Sequence, residues 1–577
     1  MASRGALWVL LLGAPAGAAA QAGDEPAPPF GERVDVEVVN VDVVVTDRDG
    51  ERVTDLARDD FELRIDGQPT VIEYFAGAKQ ARRDAAQPES SAAEAPTPTI
   101  EIDRPPGYLI VFVDQSALEI KTSDTIVEEI REFVLPRVAA SQSVLVAAFV
   151  DSLRILTPAT TDPARVEQAL TELEKLRGRG TLLAGERRRL ERDIRASMNP
   201  PMSEGNPARA RLFLENERIR LQQEIEQFGE AALDRQRRGI AALGQWISAL
   251  AALPGRKSVL LATGGISGSP TVFLTSLLEQ KRNNPVRTEF SGSGSLASRG
   301  VELMVQFEAM VRAAQNARVA FYTISPRTPP VEQNTAIFGG LGSETAQAAP
   351  RDLALVEASS SVLRLAGATG GASFTVDGDL SDRLERVRED ELAAYSLGFS
   401  TSETAGAGDH RIVVAVKREG LKVRHRESYR RRTLGERAEE ALLAAATLGS
   451  TANPLGIALE LGAPRALDKK GAGAIVPLLV RIPLRGLALL PVGEQREGKL
   501  AARVAIQDAK RSVRLGASAP LRVLVAEVDA ESVATEYWAY RAEMRLAPGA
   551  QRIAVVIVDE LAGVVATAES AIDVPKD

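Results

Sequence analysis

The chain has 577 residues, enough for three or four domains of ordinary size. Hydrophobic residues make up 45% of it and aromatic residues only 4%, so it can build sizeable cores but not an aromatic-lined nucleic-acid or sugar groove. A net charge of −8, no cysteine and only two histidines, His410 and His425, exclude a global field for DNA or anionic lipid, disulfides, thiol chemistry and a histidine-rich zinc site.

Residues 1–22 read as a signal peptide. Arg4 supplies the positive start, Leu7 to Leu12 a short apolar core, and Ala18, Ala20 and Ala22 small-residue cleavage sites. An uncleaved anchor is the competing reading. No later segment reaches the ~20 apolar residues of a membrane-spanning helix. The mature protein is therefore expected to be exported to the periplasm, the cell surface or the medium.

Residues 33–77 are strand-rich, with turn signals at Asp49-Gly50 and Asp66-Gly67, and read as a small β-module of about five strands. Residues 78–105 are polar, Ala/Pro-rich and aperiodic, which is linker composition. From 106 to 432 strands and helices alternate. Tyr108–Asp114 is a continuous apolar run, as in a strand buried on both faces. An amphipathic helix follows, with Ile126, Ile130, Phe133 and Val134 on one face. Two further strands precede Asp162-Pro163, where proline opens a helix. Residues 182–252 read as a charged helical insertion. Lys257–Thr263 is another buried strand, and 264–298 reads as a mobile Gly/Ser-rich loop. Helices over 300–316 and 353–366 flank the strand Arg318–Ser325, with loop-like sequence at 326–350. The alternation predicts an α/β doubly wound, parallel sheet. Residues 435–577 alternate apolar and polar residues without helices between, which predicts an antiparallel β-sandwich of fibronectin or immunoglobulin type.

Four segments occur in a telling order. They are VNVDVVVTDRDGERVTDLARDDFELRIDG near the start, YLIVFVDQS at 108, LPGRKSVLLATGG at 253, and LRLAGATGGASFTV with AAYSLGFS and GLKVRHRESY further on. Together they make residues 33–430 resemble the bacterial exported VWFA-related family, whose centre is a von Willebrand factor type A-like domain. The resemblance leaves the chain after 435 unexplained.

Such a domain often holds Mg²⁺ at the carboxyl ends of its strands, in a metal-ion-dependent adhesion site. The pattern is Asp-x-Ser-x-Ser after the first strand, a later Thr, and an Asp after the fourth strand. Mg²⁺ requires six hard oxygen ligands. Here Asp114 and Ser116 match the first two positions, but Leu118 fills the third. Thr181, in Gly180-Thr181-Leu182, falls where the family threonine would. Thr263, Gly264 and Gly265 replace Ser-Asp-Gly, so the second carboxylate is lost. Glu119, Ser267 and Ser269 could supply missing oxygens. Two readings follow. In the favoured one, Asp114 and Ser116 hydrogen-bond the loop or cap a helix and no cofactor binds. In the other, a degenerate site takes Mg²⁺ or Ca²⁺ weakly, and the loop 263–265 contacts the ligand.

No phosphate loop, dinucleotide fingerprint or nucleophile elbow is present, and no carboxylate pair suggests acid–base chemistry. The arginines between Arg187 and Arg195 alternate with acids and read as a solvated helix face. The expected function is non-enzymatic protein binding of adhesion type, with no nucleic-acid partner. The alternative is a structural envelope scaffold whose contacts come from the helical insertion or the β-sandwich.

Overall fold

The computed structural model describes residues 37–78, 107–176, 180–198, 207–279, 294–326, 353–376, 380–401, 408–467, 473–509, 512–526 and 536–575. The expected signal peptide lies outside the described residues, as do all but the first residue of the expected linker, residues 280–293 of the first expected loop and residues 327–350 of the second.

The first strands are β1 (Glu37–Thr46), β2 (Phe61–Ile65), β3 (Gln68–Thr70) and β4 (Tyr74–Ala76). Asp66 and Gly67 both take positive φ, and Ile65 faces Gln68, so the predicted turn is a two-residue hairpin joining β2 to β3. Along β1, Val39, Val41, Val43 and Val45 alternate into a core, as a half-buried strand requires.

Six strands build the central sheet: β5 (Tyr108–Asp114), β6 (Ser143–Phe149), β7 (Leu153–Thr160), β8 (Lys257–Ala262), β9 (Val319–Pro326) and β10 (Ala372–Val376). Their order is β10-β9-β8-β5-β6-β7. All neighbours are parallel except β7, which runs antiparallel to β6. Only Val150, Asp151 and Ser152 join β6 to β7, too few for a parallel crossover, so the expected wholly parallel sheet has an antiparallel edge. The helices are α1 (Ile120–Ala139), α2 (Pro163–Lys175), α3 (Gly180–Met198), α4 (Pro207–Ala251), α5 (Val272–Glu279), α6 (Gly294–Asn316), α7 (Leu353–Ala368) and α8 (Ser381–Ala393). Ile126, Ile130, Val166, Leu170, Leu384 and Val387 bring α1, α2 and α8 onto one face of the sheet. Trp246, Leu250, Phe307, Val311 and Leu365 bring α4, α6 and α7 onto the other. The strand order reverses between β5 and β8. Ligands of open α/β sheets bind in the crevice at the carboxyl ends of such a strand pair.

Two boundaries differ from the sequence reading. The segment 182–252 is not an insertion throughout, because the C-terminal half of α4 covers the sheet with Trp246, Ile247 and Leu250 fully buried. Only α3, α5 and the N-terminal part of α4 stand off, around Leu190, Ile194, Leu221, Ile225 and Leu274. The stretch read as a Gly/Ser-rich loop also contains α5.

The second difference is larger. The strands β11 (Tyr395–Thr401), β12 (Asp409–Val416), β13 (Lys422–Arg424) and β14 (Ser428–Arg430) do not extend the α/β sheet. They pair with the N-terminal strands in two sheets, β13-β1-β11-β4 and β14-β12-β2-β3. Val41, Val43, Phe61, Leu63, Tyr395, Leu397, Phe399 and Ile412 share one core. The divisions expected at 77 and 432 thus correspond to one sandwich with the α/β domain inserted between its halves.

Helix α9 (Leu434–Leu448) opens on a Thr433/Glu436 capping box and closes on Gly449 at φ 65°. Beyond it lie two antiparallel sheets. One contains β15 (Ala458–Leu461), β16 (Arg465–Ala466), β17 (Ala474–Pro483) and, paired with β17, the strand Tyr537–Leu546. The other is centred on the strands Gln495–Gln507 and Gly549–Asp559. Val476, Leu478, Leu500, Val555 and Ile557 fill the space between them.

Candidate functional site

The carboxyl ends of β5 and β8 gather the residues that the sequence singled out. Asp114 ends β5. The Ser116 hydroxyl donates to Asp114 Oδ1 at 2.7 Å and the Ser116 amide at 3.1 Å. The Thr263 hydroxyl donates to Asp114 Oδ2 at 3.1 Å and accepts from the Gly265 amide at 3.2 Å. The Thr181 oxygen accepts from the Ile120 amide at 2.9 Å, satisfying an otherwise free donor at the start of α1. Burial pushes the Asp114 carboxyl up from the ordinary aspartate range, and the hydrogen bonds it accepts pull it only partly back.

The glycines have steric reasons. A Cβ on Gly264 would sit 2.6 Å from the Ala117 carbonyl oxygen. A Cβ on Gly180 would sit 2.0 Å from that of Leu118. Gly265 combines φ +81° with a 2.3 Å approach to the Ala358 carbonyl. The three strand-end loops therefore lie backbone against backbone. An aspartate at 264, as the family pattern has, does not fit this packing.

The side chains expected to compensate are engaged elsewhere. Glu119 pairs with Arg188 at 3.3 Å. The Ser267 and Ser269 hydroxyls donate to Glu357 at 2.7 and 3.0 Å. The Ser267 amide donates to Gln236 Oε1 at 2.7 Å. Leu118 is 1% exposed and belongs to the α1–α2 core rather than to the site. Glu357 and Gln236 hold the 264–269 loop from about 90 and 30 residues away in sequence. No local sequence signal marks that role.

A divalent ion needs several hard oxygens with free lone pairs and a share of negative charge. Here a single carboxylate accepts hydrogen bonds on both oxygens, Thr181 serves a helix terminus, and Leu118 offers no oxygen. Among the described residues no three acidic or histidine side chains converge. The residues present do not fit Mg²⁺ or Ca²⁺. The cluster ties α1, β8 and the loop after β8 into one rigid face.

Both histidines lie in the inserted-into sandwich, away from these strand ends. His410 Nδ1 is 2.8 Å from Asp66 Oδ2, and its ring stacks on Tyr429. His425 Nε2 accepts from the Val414 amide at 3.2 Å. The basic run on α3 is matched by acids, Arg189 with Glu224 and Arg195 with Glu191. Among the described residues no helix is long and apolar enough to cross a membrane.

No protein-family model matches the chain, and no curated protein matches it. Among solved structures, proximal thread matrix protein 1 from the mussel byssus aligns at 11% identity and TM-score 0.22 over 50% of this chain and 47% of that one. The alignment thus spans about half the length of the mussel protein. An aerotolerance-related membrane protein from Bacteroides fragilis aligns at 10% identity and TM-score 0.21, covering 49% of this chain and 98% of that one. The pilus adhesin SpaC from Lactobacillus rhamnosus GG aligns at 8% identity and TM-score 0.23, covering 82% and 53%. Likenesses of this size fix neither fold nor function.

Proposed function

We propose that this chain is a non-catalytic protein-binding module that acts outside the cytoplasm, through a von Willebrand factor A-type domain that grips its partner without a metal bridge. The reading outside the cytoplasm rests on the expected signal peptide. The domain type is supported by the four ordered segments and by the reversal of strand order between β5 and β8. The non-catalytic reading is supported by the strand-end cluster, where the Ser116 and Thr263 hydroxyls are tied to one partly buried carboxyl, with both histidines away in the sandwich.

One observation carries the proposed binding mode. Helix α3 springs from the strand-end face, with Gly180 against Leu118, and leads into an arm that leaves Leu182, Leu212, Phe213 and Ile219 each at least 48% exposed. Leu212 and Phe213 lie near the start of α4 and Leu182 at the start of α3, so exposed apolar side chains mark both ends of the arm, and such side chains are a common signature of a protein contact. The strand-end face and the arm then form one recognition surface. A scaffold role, with contacts through the C-terminal sandwich, is the second reading.

The test is site-specific photo-crosslinking from position 216 in the native host, beside Phe213→Asp and Asp114→Ala. The expected result is one discrete adduct, lost in Phe213→Asp and kept in Asp114→Ala. Loss in Asp114→Ala alone would restore the metal-bridged reading. No adduct from position 216 in wild type would favour the scaffold, and an adduct kept in Phe213→Asp would refute the contact through Phe213.

A further inference from the structure

The opposite end of the α/β sheet holds an excess of buried positive charge. Arg256 immediately precedes β8 and Arg318 immediately precedes β9; these strands pair with Lys257 opposite Val319, so the two arginines are neighbours. Arg426 reaches the same place from the sandwich, its guanidinium donating to the Gln315 and Asn40 carbonyls at 2.9 Å each. All three guanidiniums act on Asp42 of β1 and hold its carboxyl below the usual aspartate range, against the opposing effect of burial. Only Arg318 touches it, at 3.3 Å. The other nearby carboxylates are taken: Asp390 by Arg52 and Arg424, Glu391 by Arg137.

The hydrogen-bond inventory is incomplete at this place. Arg256 Nε and Nη1, Arg318 Nε and Arg426 Nε are all buried and find no partner among the described residues. Arg426 is 8% exposed. The one side-chain bond found for Arg256 is a long one, 3.4 Å, to the Tyr322 hydroxyl, which keeps its own proton to donate. A buried guanidinium donor without a partner has lost its bond to water and gained none in return, a cost that a bound anion removes. The surplus is felt nearby: burial first, then Arg318, Arg432 and Arg426, push the Lys257 amine down to about 7. Arg318 also adopts φ +55°, a left-handed conformation that a glycine would take more cheaply. Asp42 and Arg318 are about a quarter exposed, so the place opens to solvent on their side.

We propose that Arg256, Arg318, Arg426 and the Tyr322 hydroxyl form a binding site for a tetrahedral oxyanion, phosphate or sulfate, free or as the terminal group of a small ester. Three guanidiniums less one carboxylate leave two positive charges, which is what a dianion neutralises. Each unpartnered guanidinium N–H can donate one charge-assisted hydrogen bond to an oxygen of such an ion. Because Arg426 comes from the sandwich and the other two arginines from the sheet, the ion would stitch the two domains together.

The experiment is a thermal melt of the full chain in sodium phosphate, sodium sulfate, glycerol 2-phosphate and sodium chloride at matched ionic strength. Wild type is run beside Arg256→Gln, Arg318→Gln and a distant control, Arg465→Gln. The proposal expects a saturable rise of a few degrees in phosphate or sulfate over chloride, kept in Arg465→Gln and lost in both site variants. A matching rise in glycerol 2-phosphate assigns the site to esters as well as free ions; its absence assigns it to free ions. Should Arg256→Gln not fold, Arg318→Gln, on the open side, decides alone. Equal melting in all four salts, or a rise that Arg318→Gln retains, overturns the proposal.

Discussion

A serine at position 118, as in the metal-site pattern of the family that the sequence resembles, should harm this protein, and the size of the harm can be worked out. Leu118 is 1% exposed and packs in the cluster that holds Ile126, Val127, Val166 and Leu170. Leu118→Ser removes the branched end of that side chain. Truncating a buried leucine costs about 2–5 kcal/mol, depending on how far the cavity collapses. A hydroxyl left without a partner in that cluster adds about 1–3 kcal/mol. The expected loss is roughly 3–8 kcal/mol, less if the serine reaches the strand-end cluster. Guanidinium unfolding followed by tryptophan fluorescence measures it, since Trp246 packs on Phe112 with ring centroids 5.0 Å apart and reports on this domain. The titration is run with EDTA and with millimolar Mg²⁺. A loss under about 1 kcal/mol, or recovery of wild-type stability in Mg²⁺, would refute the reasoning, because it would mean that residue 118 faces a cation site and not the core.

Two further outcomes are expected. Asp114 has its carboxyl raised by burial, so the folded state holds that proton more tightly than the unfolded chain does. Its contribution is fully present below the ordinary aspartate range and is lost as pH climbs through the raised value. Asp114→Asn keeps the shape, and its amide can donate to Thr263 Oγ1. Urea midpoints measured from acid to neutral pH should therefore fall less steeply for the variant than for wild type; parallel curves would count against a raised carboxyl. Asp390 is 1% exposed and joins Arg52 of the first β segment to Arg424 of β13, at 3.1 and 2.6 Å. Asp390→Asn leaves Arg424 facing an uncharged amide, while Arg52 keeps Glu389 at 2.7 Å, and should cost about 1–3 kcal/mol in denaturant unfolding, against near-neutrality for a surface site.

Local pattern carried the sequence reading a long way. The Tyr108–Asp114 and Lys257–Ala262 strands announce themselves as apolar runs, Pro163 opens α2, and Asp66-Gly67 makes its turn. Asp114, Ser116, Thr181 and Thr263–Gly265 were legible as neighbours only through the resemblance, and the structure does bring them together. What the sequence hid is pairing between distant segments. Glu37 faces Thr401 and Ile65 faces Ile412, and nothing in either strand's periodicity names a partner hundreds of residues away. The same holds for Ser267 and Glu357, and for Arg256, Arg318 and Arg426, which are unexceptional until three chain segments meet. The 182–252 segment misled because charge on one side of α4 outweighed the apolar stripe beneath it.

The chain enters the sandwich on β1 and leaves it on β14, so both ends of the α/β domain are clamped by the same four-plus-four strands. Because β1 pairs with both β11 and β13, tension applied between β1 and the C-terminal sheets is borne first by strand pairing within that sandwich, around the α/β domain. The strand-end face is a side branch of that path, not a link in it. The central sheet would feel such a force only after those strand pairs gave way.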